Sequence, residues 1–285
     1  MYKYILTMGV LLLGGNLLAQ DTLIQNGDTA TYSWIAHQKF PLGERDVWSV
    51  DKLENVYISD GESIKKYDST GVLKFQQSIK SFGKVTQLAP VNSMKLIYFS
   101  QEQQTLCFLD NTLTATEDCI DLVDYDIYNA EWIATSTRPE LLWVYDNVNS
   151  TLKLISLTVL GKVNLEIVNL QGVLGLEQVD QIFEAGQYLY VLDTQRGVYQ
   201  LDFYGGLLKK WEAVGEISIA ADEESHLFRL RESDLLTQGL LPGATQDQAK
   251  FKLPIQEILD FQIEGTHLYF RTSKTVHKYT LHFNN

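Results

Sequence analysis

A short apolar stretch rich in Tyr, Leu, Val and Phe recurs six times along the chain, and this repeat constrains the fold most strongly. One central residue from each copy gives an aligned set: Tyr57, Tyr98, Val144, Tyr190, Phe228 and Tyr269. The intervals between them are 41, 46, 46, 38 and 41 residues. Apolar strands precede and follow the copies, although the fifth copy lacks a clear third strand between Arg231 and Leu253. The sequence therefore predicts repeated units built from short strands.

A period of about 40–45 residues per four-stranded unit is typical of β-propeller blades. The last copy stops just after its third strand, whereas Thr31–Phe40 reads as a strand without a blade. A ring must close if its sheets are to lose their exposed edges. We therefore predict an all-β, six-bladed β-propeller spanning residues 21–285 as one domain, closed by pairing of Thr31–Phe40 with the last blade. Two stacked β-sandwiches are the alternative, against which the regular period argues.

A polar turn follows the third strand of several copies. Tyr67-Asp68-Ser-Thr-Gly71 is echoed at Leu109-Asp110-Asn111 and at Leu201-Asp202-Phe-Tyr-Gly205. Aspartate caps its own backbone in such turns, and glycine accepts a positive φ. The pattern resembles the blade turn of NHL-type and related six-bladed propellers, including those that Bacteroidota export. The resemblance implies the fold and leaves the activity open.

The N-terminal stretch Met1–Gln20 reads as a secretory signal peptide. Lys3 provides a positive charge, Ile5–Leu13 is an apolar run, and the predicted cleavage follows Ala19. The ending Leu-Leu-Ala-Gln resembles signal peptides of Bacteroidota. The apolar run is shorter than the roughly 20 residues that span a membrane. We therefore expect export, to a periplasm or beyond, and no transmembrane span in the mature chain.

Charge excludes one class of partner and suggests another. The formal net charge of −13 would repel a phosphate backbone, so nucleic acid is not an expected partner. Acidic residues gather in the predicted loops that lead into the first strand of each blade: Glu44, Asp46, Asp124, Asp126, Glu177, Asp180, Glu216, Glu257 and Asp260. Such a face could be a solvated rim, could attract a basic partner, or could hold Ca²⁺ through oxygen ligands. Six-bladed lactonase-type hydrolases resemble the last arrangement, although no fixed Glu/Asn/Asp set is present.

The only two cysteines, Cys107 and Cys119, lie on either side of a predicted turn near Asn111–Leu113. Their similar distances from this turn place them opposite each other in a hairpin, where side chains come close enough to bridge. We expect a disulfide in an oxidising compartment, or else two reduced, buried thiols.

Trp211 follows two lysines on a predicted outer strand and is the candidate interface aromatic. The irregular segments Arg231–Leu253 and Thr158–Gln178 are the expected places for a partner's footprint. No catalytic, cofactor or metal signature is recognised. The leading hypothesis is an exported, non-enzymatic propeller that binds a protein in an envelope, outer-membrane or secretion complex. The alternatives are a Ca²⁺-dependent hydrolase or lyase and a module that binds glycans or peptides.

Overall fold

The computed structural model describes residues 21–25, 28–79, 83–212, 215–222, 224, 226–238 and 248–284, so the predicted signal peptide, Met1–Gln20, lies outside the described residues. Six antiparallel sheets, the blades, follow one another along the chain. The chain begins with β1 (Asp21–Gln25) and β2 (Asp28–Pro41), which belong to the sixth blade.

The remaining strands fill the blades in sequence order. Blade 1 contains β3 (Val47–Val50), β4 (Val56–Ser59), β5 (Ser63–Tyr67) and β6 (Leu73–Ser78). Blade 2 contains β7 (Gln87–Asn92), β8 (Lys95–Ser100), β9 (Thr105–Asp110) and β10 (Ile120–Asp121). Blade 3 contains β11 (Ala130–Thr135), β12 (Leu141–Asp146), β13 (Thr151–Ser156) and β14 (Val163–Ile167). Blade 4 contains β15 (Gln181–Ala185), β16 (Tyr188–Asp193), β17 (Gly197–Leu201) and β18 (Leu207–Glu212). Blade 5 contains β19 (Glu216–Ala221), β20 (Leu227–Arg231), β21 (Asp234–Gln238) and β22 (Gln248–Lys252), and blade 6 adds β23 (Asp260–Glu264), β24 (His267–Arg271) and β25 (Thr275–Asn284).

The first strand of each blade lies innermost and lines a central channel. Each inner strand contacts the inner strand of the next blade, and β23 contacts β3, so the ring is closed. Within the described ranges, two short helices interrupt the connections, a 3-10 helix at Leu122–Tyr125 and α1 at Leu170–Leu174. No helix among the described residues is long and apolar enough to cross a bilayer.

Closure of the ring depends on β2, as the sequence predicted. This strand pairs with β25 from Thr31↔Asn284 to Pro41↔Thr275 and serves as the fourth strand of blade 6. In addition, β1 pairs with β2 and gives blade 6 a fifth strand, which the sequence did not predict. The structure also defines the third strand of blade 5, β21, which pairs with both β20 and β22.

The second strands explain the recurrent apolar signature, because both of their faces are buried. On β12, Leu142 and Val144 pack between blades 2 and 3, whereas Trp143 and Tyr145 pack between blades 3 and 4. Side chains alternate across a strand, so burial on both sides needs an unbroken apolar run rather than an alternating one. Each such side chain, fully buried, contributes about 1.5–3 kcal/mol through the hydrophobic effect.

The repeated polar turn is held by an aspartate carboxylate. Asp68 Oδ1 accepts hydrogen bonds from the backbone N–H of Thr70 at 3.0 Å and of Val72 at 3.0 Å. Asp110 and Asp202 accept equivalent bonds in the turns of blades 2 and 4. These aspartates therefore shape the hairpins through one of their two carboxylate oxygens.

The ring has two faces. The upper face carries the connections that lead into the inner strands and the turns between second and third strands. The lower face carries the turns between first and second strands and between third and fourth strands.

Candidate functional site

Two sets of equivalent positions surround the channel mouth on the upper face. The inner strands begin at Val47, Gln87, Ala130, Gln181, Glu216 and Asp260. The second strands end at Ser59, Ser100, Asp146, Asp193, Arg231 and Arg271. In blades 1, 3, 5 and 6 the two positions are direct cross-strand partners. The residue types at the channel mouth therefore differ from blade to blade, although the backbone positions that carry them are equivalent.

In blades 3 and 4 the second strand ends in a buried aspartate. Asp146 accepts hydrogen bonds from the backbone N–H groups of Asn129 at 3.3 Å and of Val148 at 3.1 Å. Asp193 does the same for Glu177, at 2.7 Å, and for its own turn. Each carboxylate thus ties the connection from the preceding blade to the turn beside it, because a buried carboxylate needs such donors. These two residues hold the upper loops in place.

In blade 5 the predicted acidic residue, Glu216, is paired with two arginines. Glu216 is 2% exposed, and its Oε1 accepts from Arg229 Nη1 at 3.1 Å and from Arg231 Nη2 at 2.8 Å. Burial lowers the pKa of Arg229, an effect that the carboxylate of Glu216 opposes. Removing one partner of a buried ion pair leaves an uncompensated charge. Glu216 is therefore a structural residue of the seam between blades 4 and 5.

In blade 6 the corresponding carboxylate stands at the channel mouth. Asp260 accepts from Trp48 Nε1 at 2.7 Å and from Arg271 Nη1 at 3.1 Å, which joins blade 6 to blade 1. Its side chain is 33% exposed. Burial raises the pKa of Asp260, and this outweighs the opposing effect of Arg271.

Glutamines connect the inner strands in alternate seams, a feature that the sequence reasoning missed. Gln87 Oε1 accepts from Ile133 N at 2.8 Å, between blades 2 and 3. Gln181 bonds both backbone groups of Ile219, between blades 4 and 5, and Gln262 accepts from blade 1 at 3.1 Å. A glutamine on a strand that packs against neighbouring strands could have been recognised in the sequence, because a buried amide side chain requires a hydrogen-bond partner.

The other predicted acidic residues do not converge on one point. Asp46 Oδ2 accepts from Gly43 N at 2.7 Å, and Asp180 Oδ2 accepts from Thr194 N at 2.7 Å, so both stabilise local turns. The backbone oxygen of Asp124 lies beside Gly161, which is in the turn between the third and fourth strands of blade 3. The others lie in loops: Glu44, Asp126, Glu177 and Glu257. The described part of the chain contains no group of three or more His, Cys, Asp or Glu side chains suited to a metal ion.

One group of exposed apolar side chains lies on the upper face of blade 3, which we call the blade 3 rim. Its members are Tyr128, Val148, Val168 and Val173, with exposed fractions of 59%, 69%, 61% and 65%. Hydrogen bonds join the segments that carry them. The turn at 147–150 donates to Asn129 O at 3.0 Å on one side and accepts from Leu170 N at 2.7 Å on the other. The rim is therefore a fixed surface, and part of it lies in the irregular segment Thr158–Gln178.

Acidic groups accompany this rim. The hydroxyl of Tyr128 lies 3.5 Å from Asp126 Oδ1, and Glu131 Oε1 accepts from the side chain of Asn147 at 2.7 Å. Lys153 of blade 3 lies below the surface, where its ammonium donates to the backbone oxygen of Asp126 at 3.1 Å. The rim thus combines an apolar centre with a negatively charged border.

The remaining predicted residues lie away from this rim. Trp211, on the outer strand β18, is partly buried beside the core between blades 4 and 5, with Lys209 Nζ 4.6 Å from its ring centroid. Cys107 and Cys119 form the predicted disulfide, with Cα atoms 4.2 Å apart, between β9 and the start of β10. The bridge lies in the core between blades 1 and 2.

No family model and no curated protein sequence matches this chain. Solved structures do resemble it. Virginiamycin B lyase from Staphylococcus aureus superposes with a TM-score of 0.61 at 11% identity, over 87% of this chain and 99% of the lyase. A protein of unknown function from Bacteroides thetaiotaomicron gives 0.59 at 12% identity, over 94% and 83%. The WD40 domain of Neurospora crassa Pan2 gives 0.57 at 9% identity, over 87% and 95%. At such identities the likeness shows the propeller fold alone.

Proposed function

We propose that this protein is an exported, non-enzymatic propeller that binds a protein partner through the blade 3 rim. The observation that carries the proposal is the rim itself, in which Tyr128, Val148 and Val168 on loops and Val173 on the short helix α1 are exposed. Hydrogen bonds join the segments that carry them. Exposed apolar side chains grouped on one rigid surface mark interaction sites, whereas scattered ones are ordinary. Aromatic anchors contribute most at such sites.

The acidic border defines the partner's chemistry. Asp126, Glu131 and the overall charge of −13 favour a partner whose apolar contact patch is surrounded by Lys or Arg. Complementary charge at the edge of an interface raises the association rate and selects the partner. We therefore expect binding that weakens as the salt concentration rises.

Two features support the exported part of the proposal. The predicted signal peptide directs the chain out of the cytoplasm, and the Cys107–Cys119 bridge suits an oxidising compartment. A propeller placed there would serve as an accessory subunit of an envelope, outer-membrane or secretion assembly.

The test is affinity purification from envelope extracts with matched variants. Tyr128→Ser combined with Val173→Asp alters the rim, whereas Tyr204→Ser combined with Leu160→Asp changes residues on the lower face that are at least as exposed (81% and 65%). We expect the wild type and the control to recover the same stoichiometric partner, and the rim variant to lose it by at least about tenfold. Recovery of the wild type as a monomer, or equal recovery by the rim variant, would refute the proposal.

A further inference from the structure

A second feature lies on the lower face, where a cavity of about 430 Å³ opens between blades 5 and 6. Its apolar wall is formed by the side chains of Phe228, Ile263, Leu268, Leu281 and Phe283. They come from an inner strand, two second strands and β25, the third strand of blade 6. A cavity of this size matches the lower range of small-molecule sites, which are mostly apolar with a few polar groups.

The polar end of the cavity carries negative charge. Asp222, Glu224 and His226 line it, all from the turn between β19 and β20. Asp222 Oδ1 accepts from the backbone N–H of His226 at 2.8 Å, and its Oδ2 lies 2.8 Å from His226 Nδ1. Glu224 Oε2 lies 3.8 Å from the same nitrogen, and its side chain is 83% exposed. Among the described lining residues there are two carboxylates and neither Lys nor Arg.

We propose that this cavity binds a small amphiphilic cation, with an apolar body of one or two rings inside and an ammonium group at Asp222 and Glu224. The apolar wall accepts the body through the hydrophobic effect. The carboxylates select the charge, because an anion at the same place would meet two negative groups. The binding site lies on the face opposite the blade 3 rim and does not depend on the protein partner.

The location gives a second consequence. Leu281 and Phe283 belong to β25, whose pairing with β2 closes the ring. A ligand that contacts these residues together with Phe228 of blade 5 would bind the closed ring and not the unfolded chain. Any ligand with that preference raises the melting temperature.

Three probes with the same naphthalene body test the proposal: 2-naphthylmethylamine, 2-naphthalenemethanol and 2-naphthoate, titrated into the full chain by calorimetry at low salt. We expect the amine to bind at least about tenfold more tightly than the carboxylate, which corresponds to about 1.4 kcal/mol. The alcohol should lie between them. The amine should also raise the melting temperature most.

Two substitutions locate the effect. Glu224→Gln changes an exposed side chain and should reduce the preference for the amine at least threefold, whereas the control Glu257→Gln on the upper face should leave it unchanged. Ile263→Phe should weaken all three probes alike by filling the cavity, and its melting curve reports whether the ring still folds. Equal binding of amine and carboxylate, an unchanged preference in Glu224→Gln, or no binding of any probe at millimolar concentration would overturn the proposal.

Discussion

Breaking the Cys107–Cys119 bridge tests how far the weakest outer strand of the ring depends on a covalent link. β10 contains only Ile120 and Asp121, which pair with Leu106 and Thr105 of β9. The outer strands of the other blades are at least five residues long. The bridge lies next to these two pairs, so we infer that it replaces the hydrogen bonds that a longer strand would supply.

The size of the effect follows from the length of chain that the bridge encloses. The two cysteines are 12 residues apart in the sequence. Closing a loop of this length lowers the entropy of the unfolded chain, which corresponds to about 3 kcal/mol of native stability at 25 °C. With an unfolding entropy of about 2.1 cal/mol/K per residue, the expected fall in melting temperature is about 5 °C for a chain of 285 residues.

The assay is thermal and urea unfolding, followed by circular dichroism, of the oxidised protein, the protein reduced with dithiothreitol, and a Cys107→Ala, Cys119→Ala variant. The reduced protein and the variant should both lose about 3 kcal/mol, and dithiothreitol should change the variant no further. Thiol titration confirms that the bridge has been reduced. A melting temperature within about 1 °C of the oxidised protein's after complete reduction would refute the reasoning, since the loop would then add no measurable stability.

Two further perturbations address buried charge. Glu216→Gln leaves Arg229 and Arg231 without their carboxylate, so we expect urea unfolding to show that the free energy of unfolding falls by about 3–5 kcal/mol. Glu212→Gln, on an exposed strand, is the control. A fall below about 1 kcal/mol in Glu216→Gln would contradict the structural role assigned to Glu216. Burial and nearby positive groups lower the pKa of His37, so the unfolded state takes up its proton first and stability should fall as the pH drops below about 6.5. His37→Gln should reduce the slope of the stability profile between pH 7 and pH 5 without removing it, because burial also lowers the pKa of His277. His282→Gln, on the partner strand, serves as the control, and an unchanged profile in His37→Gln would count against this explanation.

The fold was predictable because burial on both faces leaves a strong local signal. Runs such as Leu142–Tyr145 are apolar at every position and recur at a nearly constant interval, so the number of blades could be counted. Ring closure followed from an incomplete last blade together with a spare strand at Thr31–Phe40. The fifth strand β1 could not be predicted in this way, since an extra outer strand is required neither by the repeat nor by closure.

The candidate site was much less predictable. The acidic residues were recognised, but whether each one forms an ion pair depends on its cross-strand neighbour, which spacing in the sequence does not identify. Glu216 lies opposite Arg231, 15 residues away along the chain, and Asp260 lies opposite Arg271. The blade 3 rim could not be predicted from the sequence for another reason. Its valines look like strand residues, but the structure places Val148 and Val168 in loops and Val173 in the short helix α1.

The residues at the ends of the second strands explain why a partner should bind away from the channel. In blades 3 and 4 this position is an aspartate used to fix loops, and in blades 5 and 6 it is an arginine that pairs with an inner-strand carboxylate. These carboxylates near the axis therefore already bind backbone N–H groups or arginines of the propeller itself. Two carboxylates without an arginine partner of this kind lie beside the blade 3 rim: Asp126, in the loop before β11, and Glu131, at the start of β11. Long-range attraction of a basic partner is strongest where charge is not already paired. An off-axis contact at blade 3 is consequently favoured over insertion into the channel mouth.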